Sequence, residues 1–292
     1  MSKLEDGPVA RLLALLDLEA TDEDGFYGRS PPGNAQRVFG GQVLAQALIA
    51  AGRTVTGLAC HSLHAYFLRL GDPDEPLHYR VERTRDGASF TARRVSVIQH
   101  ARPIFVMACS FHGEETGFEH QCVMPVVPDP ETLDDARTLA EKNIESLPPD
   151  LREWALRPRP LDVRPVTPHS YAARGSHPPV SNIWFRANSA LPDDPSLHRA
   201  ILAYASDMTL IDTALLPHNT NIFSRALQVA SLDHAMWFHR PFRADEWLLY
   251  AQDSPSAFGG RGFSRGQIFS RDGRLIASVA QEGLMRPRAR AG

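Results

Sequence analysis

Apolar residues recur at helical spacing in two places near the start of the chain, from Val9 to Leu18 and across "VFGGQVLAQALIAAG", the second entered through Gly40 and Gly41. Four runs with a period near two follow: "HSLHAYFLRL", "PLHYRVERTR", "SFTARRVSVIQ" and "PIFVMACSFH". Asp86 and Gly87 mark a hairpin between the second and third. From Glu114 to Pro195 the composition turns Pro-rich and acidic, with a short helix predicted in "PDPETLDDARTLAEKNIESL", and reads as a crossover. The order then recurs. A long helical run, "SLHRAILAYASDMTLIDTALL", precedes the strand-like "QVASLDHAMWFHRPF", "EWLLYAQDS", "GRGFSRGQIFS" and "RLIASVAQEGLM". At one constant displacement Leu77 falls on Leu248, Tyr79 on Tyr250, Arg94 on Arg265 and Phe105 on Ile276. The pattern predicts an α+β chain of two units, each a sheet around one buried helix, with the sheets joined edge to edge over a common core. The expected divisions are 1–113 for the first unit, 114–196 for a crossover linker with short helices, and 197–292 for the second unit.

Three polar residues stand on faces that should be apolar. Asp207 has Ala203, Tyr204, Leu210 and Ile211 at helical spacing around it. An unpaired carboxylate there would be expensive to bury, so Asp207 is either a partnered interior acid or a surface residue beside Ser206, and periodicity does not choose. Asp212, five positions on, lies about 140° round the same predicted helix and serves another face. Gln281 shares a strand face with Leu275, Ala277, Val279 and Met285, while Glu282 points away. A buried amide there needs hydrogen-bond partners, structural or functional. Ser231 is the third, and by itself the weakest, since serine is ordinary in strands. It lies in "SLDHAMWFHRPF", which crowds together a serine, Asp233 and His234. Strict alternation puts Ser231 and Asp233 on one face and His234 on the other, which excludes a serine protease-like triad.

Composition narrows the function. At 292 residues and 43% hydrophobic, the chain is long enough to bury a sizeable core. A net charge of -3 argues against a dedicated nucleic-acid surface. Cys60, Cys109 and Cys122 are widely spaced, giving neither a disulfide framework nor a zinc pattern. His61 and His64 form an isolated "HSLH" with no carboxylate in a ligand pattern, so no metal and no cofactor is expected. The acidic start is unlike a secretory signal, no stretch approaches the roughly 20 apolar residues of a membrane span, and "MRPRARAG" reads as a solvated tail without a peroxisomal signal. A cytoplasmic location is expected.

The segments "RVFGGQVLAQAL", "HSLHAYFLR", "DGASFTARRV", "GFEHQ", "PDDPSLHRAILAYASD", "SLDHAMWFHRPF", "EWLLY" and "ASVAQEGLMR" together resemble the acyl-CoA thioesterase II family. The resemblance runs from Val9 to Arg286 and is carried by many long segments in one order. It implies a double hotdog fold, two tandem units each with a long central helix wrapped by an antiparallel sheet. It also implies hydrolysis of fatty acyl-CoA to free acid and CoA, and assembly into homo-oligomers. In the family an Asp, a Thr or Ser and a Gln hold the hydrolytic water. The resemblance carries these roles to Asp207 of "YASD", Ser231 and Gln281 of "QEG". The commoner Thr is replaced here by Ser231, whose side chain is less restricted in χ1. An older assignment in the family favours the first His of "HSLH", here His61, which is kept as a minor candidate.

This chemistry suits those residues. A thioester releases a thiol with a pKa of roughly 8.5, so one base and one positioned water suffice without a covalent nucleophile. Gly40, Gly41 and Gln42, at the start of the first long helix, are candidates for binding the substrate carbonyl through backbone N–H groups, or glycines that merely allow close packing. Arg93, Arg94, Arg261 and Arg265 are either contacts for CoA phosphates or a solvated strand face. Three rival readings remain. "GFSRG", around Ser264, fits a nucleophile elbow but is followed by strand-like rather than helical sequence. A hotdog hydratase acting on enoyl-CoA would share the fold, and a non-catalytic acyl-CoA or fatty-acid binding protein would share the pocket.

Overall fold

Alternation along the strands and the all-round apolar helix sort the chain into a curved sheet enclosing two helices. In chain order, α1 (Pro8–Leu16), β1 (Glu19–Asp22), β2 (Gly25–Gly28) and α2 (Gly40–Gly52) lead into β3 (Ala59–Phe67), β4 (Leu77–Asp86), β5 (Phe90–Gln99) and β6 (Arg102–His112). Then come α3 (Ala136–Lys142), α4 (Pro149–Leu156), β7 (Leu161–Pro165), β8 (Val180–Ala187), α5 (Pro195–Ser206) and α6 (Leu210–Leu215). The chain ends with β9 (Leu227–Ser231), β10 (Asp233–Phe238), β11 (Leu248–Phe258), β12 (Arg261–Ser270) and β13 (Leu275–Pro287). This computed structural model describes residues 7–22, 24–31, 36–147, 149–167 and 175–288; the acidic start and the last residues of the C-terminal tail lie outside them.

All strand pairs are antiparallel, in the order β1-β2-β4-β5-β6-β3-β10-β13-β12-β11-β8-β7, with β9 added to β13. The seam is β3 against β10, from Tyr66 opposite Asp233 to Ser62 opposite Trp237. Either side of it the order mirrors, β6-β5-β4-β2 against β13-β12-β11-β8, so the expected repeat and edge-to-edge union are both present. Helix α2 is buried along almost its whole length, as its apolar residues all round require, and it packs against α5 inside the sheet. Leu44, Leu63, Ile201, Leu202, Met236 and Ala277 are among the fully buried side chains of the shared core.

The segment 114–196 is more than the expected linker. It supplies β7 and β8, and β8 pairs with β11 as β2 pairs with β4, so the second unit begins with a strand ahead of its helix. Surrounding proline and acid hid "VSNIWFRA". Part of the segment ahead of β7 lies over the outer face of the second half-sheet. There Met124, Val127 and Leu133 pack on Trp184, Trp247, Leu249 and Phe269, and Trp184 Nε1 donates to the Pro128 carbonyl at 3.0 Å.

The predicted helix from Ser196 to Leu216 is also two helices. It breaks between Ser206 and Leu210, although the local sequence contains neither Gly nor Pro there. The break is held from outside. Buried Gln252 of β11 donates from Nε2 to Thr209 Oγ1 at 2.6 Å and accepts from Thr213 Oγ1 at 2.7 Å, clamping α6 onto the sheet. Tyr250, two residues earlier, donates its hydroxyl to the Ser206 carbonyl at 3.0 Å, satisfying one of the orphan carbonyls at the end of α5. Tyr250→Phe should therefore leave a buried carbonyl unpaired and lower unfolding free energy by about 1–3 kcal/mol in urea titrations. A variant as stable as the parent would mean that the hydroxyl does not hold this helix end.

Candidate active site

Asp207 caps the C-terminus of α5 with φ −88° and ψ 0°, immediately beyond Ser206. The start of α2 meets it. A Cβ on Gly40 would lie 2.6 Å from Asp207 Oδ2, and one on Gly41 2.5 Å from the Tyr204 carbonyl oxygen, so only glycine lets the two helix ends close to this distance. The Gly41 N–H donates to the Asp207 carboxylate. The glycines thus serve tight packing and offer an amide, but that amide is aimed at Asp207. Gln42 turns away: its side chain donates to the Arg29 carbonyl, Ser30 Oγ and Gln46 Oε1, and its N–H returns to the Phe39 carbonyl.

Two strands complete the cluster. Ser231 donates to Asp207 Oδ1 at 3.1 Å from the end of β9, and Gln281 Nε2 donates to the same oxygen at 2.6 Å from β13. The three residues singled out in the sequence converge on Asp207 Oδ1, and Asp207 and Gln281 are buried. Burial pushes Asp207 up to about 6, against the lowering effects of the Gln281, Ser231 and Gly41 hydrogen bonds and the charge of Arg37. The negative end of the α5 dipole acts in the same direction as burial.

The alternation expected across "SLDHA" is broken. Ser231 pairs with Gly283 and Ala235 with Ala280, so Leu232, Asp233 and His234 oppose only Gln281 and Glu282, a β-bulge. His234 consequently turns inward, on the same side as Ser231, contrary to the sequence expectation. There is still no triad, for a different reason. Asp233 Oδ1 accepts from the Glu282 N–H at 2.6 Å, while His234 contacts Ser206 and Gln281 and not Ser231.

Burial drives His234 down to about 3, so its ring is neutral. Ser206 Oγ donates to the Ala203 carbonyl at 2.9 Å, leaving a lone pair to accept from His234 Nε2–H at 2.9 Å. Nδ1 is then the acceptor for the second N–H of Gln281, at 3.2 Å. Both amide protons of Gln281 are committed, to Asp207 and His234. Its Oε1 and the buried Ser264 Oγ directly across the strand pair have no hydrogen-bond partner among the described residues.

The other candidates fall elsewhere. Ser264 is inside β12, which continues as strand to Ser270, so no nucleophile elbow forms. His61 bonds Ser110 Oγ at 2.9 Å beside His112, and exposed His64 packs edge-on to Trp237. Arg93 is buried and ties Thr54 to Asp86, while Arg94, Arg261 and Arg265 pair with Glu82, Glu282 and Asp253. Asp212 sits in α6, pushed up to about 7 by burial and apart from the Ser231 and Gln281 contacts. Sequence reasoning missed Ser206 and His234 as the pair that orients Gln281, because strict alternation assigned the histidine to the wrong face. It also missed Arg37, which reaches the Val229 carbonyl at 3.1 Å and whose charge acts on Asp207.

A family model described as "Acyl-CoA thioesterase" matches residues 159–284, and one described as "Acyl-CoA thioesterase N-terminal domain" matches 29–112. Acyl-coenzyme A thioesterase 8 of Homo sapiens is 41% identical over 281 residues, which cover 93% of this chain and 88% of that one. The chain belongs to the acyl-CoA thioesterase family. Acyl-CoA thioesterase 2 of Haemophilus influenzae is 43% identical over 94% of this chain and 96% of its own. Among solved structures, acyl-CoA thioesterase II TesB2 from Mycobacterium marinum is 43% identical with a TM-score of 0.78, covering 98% of this chain and 99% of that one. A hot dog fold protein from Alicyclobacillus acidocaldarius reaches a TM-score of 0.75 at only 18% identity over 94% of this chain and 97% of its own, which shows the double hotdog fold alone. The family membership makes this chain a thioester hydrolase acting on acyl-CoA and disfavours the hydratase and binding-protein readings.

A raised carboxyl pKa has a stability consequence with a definite sign. The folded chain holds the Asp207 proton more tightly than the unfolded chain, so the stabilisation is complete below the unfolded value near 4 and is lost as pH rises to about 6. Asp207→Asn lacks this loss. Its stability relative to the parent should increase between pH 4 and pH 6 by at most about 3 kcal/mol, measured by denaturant unfolding at each pH. A constant difference across that window would place the Asp207 pKa in the ordinary range.

Proposed function

We propose that Asp207, Ser231 and Gln281 hold the water that hydrolyses the thioester. The observation that carries this is one buried carboxylate oxygen, Asp207 Oδ1, receiving hydrogen bonds from a hydroxyl and an amide brought by two different strands. Asp207 acts as the general base, with a pKa near 6 that suits proton transfer near neutrality. Ser231 orients the water through its hydroxyl. Gln281, with both N–H groups committed, offers the water Oε1 as an acceptor. The water oxygen bonds to the thioester carbon as Asp207 takes its proton. The C–S bond then breaks, and the CoA thiolate recovers that proton to leave as a thiol. Gly40 and Gly41 form the wall against which the carbonyl lies, and Gln42 is left out of this set because its side chain and N–H are engaged elsewhere.

The acyl group in this reading is fatty, and the chain serves lipid metabolism. A cytoplasmic location is supported by the free thiols of Cys60, Cys109 and Cys122. Among the described residues no helix is long and apolar enough to cross a membrane. A homo-oligomer would use the outer sheet face, where Tyr66 and Phe258 are exposed.

Asp207→Asn should abolish nearly all thiol release from acyl-CoA while preserving its binding, and Ser231→Ala should lower kcat by about 10²-fold, in the range of an orienting contact. For the parent, kcat/KM should rise with pH on an acid limb centred near 6, since the base must be ionised. Near-normal kcat in Asp207→Asn would sink the assignment.

A further inference from the structure

The mirrored halves of the sheet create a second corner built like the catalytic one. Cys60 pairs with Phe111 of β6 as Ser231 pairs with Gly283 of β13, so Cys109, two residues along β6, stands where Gln281 stands. Gly52 and Arg53 close α2 where Ser206 and Asp207 close α5. The corner therefore has thiols in place of hydroxyl and amide, and no carboxylate in the place of Asp207. Burial holds both thiols protonated, Cys60 at about 12. Water activation is not the chemistry of this corner.

It nevertheless holds a cavity of about 460 Å³, within the roughly 300–1,000 Å³ of small-molecule sites. The cavity lies at the far end of α2 from Gly40, about 18 Å along the helix. Leu16, Leu48, Ile49, Leu58, Phe111 and Leu197 give it apolar walls. Two guanidinium groups also line it. Arg53 is committed, donating to Asp17 Oδ1 at 2.7 Å and to the Leu18 carbonyl. Arg199 is not. Its Nη1 reaches the Pro195 carbonyl at 3.2 Å, but Nε is shielded from solvent and has no partner among the described residues. The titratable groups that act on Arg199 are Cys60, whose thiol burial keeps protonated, then Glu114 and Asp194, which lines the cavity but is occupied in capping α5 through the Ser196 N–H. A part-buried cation with an unused donor beside a cavity that has both apolar walls and a polar rim is complemented by an anion carrying an apolar body.

We propose that this cavity is a second, non-catalytic site for a carboxylate-headed alkyl chain, a free fatty acid, with its head on Arg199 and its tail along Leu16 and Leu48. The site differs from the hydrolytic one in position and in chemistry. The reading of the chain as an acyl-CoA thioesterase enters only in choosing a fatty acid as the probe.

Dodecanoate is titrated calorimetrically into the parent chain, Arg199→Met and Ile49→Trp, each free and saturated with the non-hydrolysable thioether dodecyl-CoA. In the parent, dodecanoate binding should survive thioether saturation. In Arg199→Met it should weaken by about tenfold, equivalent to ~1.4 kcal/mol, while dodecanol binds parent and variant alike. Ile49→Trp, which fills the cavity, should abolish it. Both variants should hydrolyse dodecanoyl-CoA with unchanged kcat, which also reports that they fold. Displacement of all dodecanoate by the thioether, or binding indifferent to Arg199→Met, overturns the proposal. Absence of binding to a parent preparation that hydrolyses dodecanoyl-CoA overturns it too, and leaves the role of Asp207 untouched.

Discussion

The fold depends on two helix ends meeting inside one sheet. At that junction the negative end of α5 and the positive end of α2 both bear on a single carboxylate. Alone, the first would make Asp207 hard to ionise, and burial adds to this. The Gly41 N–H, the Ser231 hydroxyl and the Gln281 amide oppose it, and the balance leaves the group near 6 instead of fully suppressed. The contact is possible because Gly40 and Gly41 carry no Cβ where Asp207 and the Tyr204 carbonyl approach. Tyr250 and Gln252, neighbours on β11, fix the far side of the same junction by holding the Ser206 carbonyl and the first turn of α6. Sheet and helices therefore constrain one another around Asp207.

Periodicity made much of this legible and failed where tertiary contacts override it. The strand runs from β3 to β6 and from β10 to β13 follow their alternation closely, because each has one face on a core and one on solvent or a covering segment. The mirrored order of strands was visible in the repeat of Leu77 and Tyr79 at Leu248 and Tyr250. Strand β8 was hidden because the expected division followed composition, and proline and acid around it outweighed "VSNIWFRA". The break after Ser206 could not be read locally, since it is imposed by Gln252 from a strand more than forty positions away. Asp207 and Gln281 were recognisable as polar residues on apolar faces. His234 was not, because a single extra residue opposite Gln281 and Glu282 reverses the face on which it lies.

A sheet with mirrored halves offers two equivalent corners, yet each corner is furnished by different residues. At one, α5 ends in an acid and the flanking strands bring hydrogen-bond donors to it. At the other, α2 ends in glycine and arginine and the strands bring thiols, whose weak hydrogen bonding and raised pKa suit an apolar lining. The strand framework is shared, so the difference in chemistry comes from side chains at a few registered positions. This is how one backbone plan can place a hydrogen-bonded carboxylate at one end of its helix pair and a thiol-flanked cavity at the other.

The choice of an amide at position 281 follows from the same electrostatics. A carboxylate there would face Asp207 across 2.6 Å and raise one of the two pKa values further, as close like charges do. An aliphatic side chain would remove a donor from Asp207 Oδ1. The amide gives one proton to the carboxylate and the other to the neutral ring of His234, whose own proton goes to Ser206. That chain fixes which end of Gln281 faces which neighbour, since turning the amide over would set Oε1 against the ionised acid and against the lone pair of His234 Nδ1. The orientation that leaves Oε1 available to a water is thus set by a histidine that never needs to carry charge.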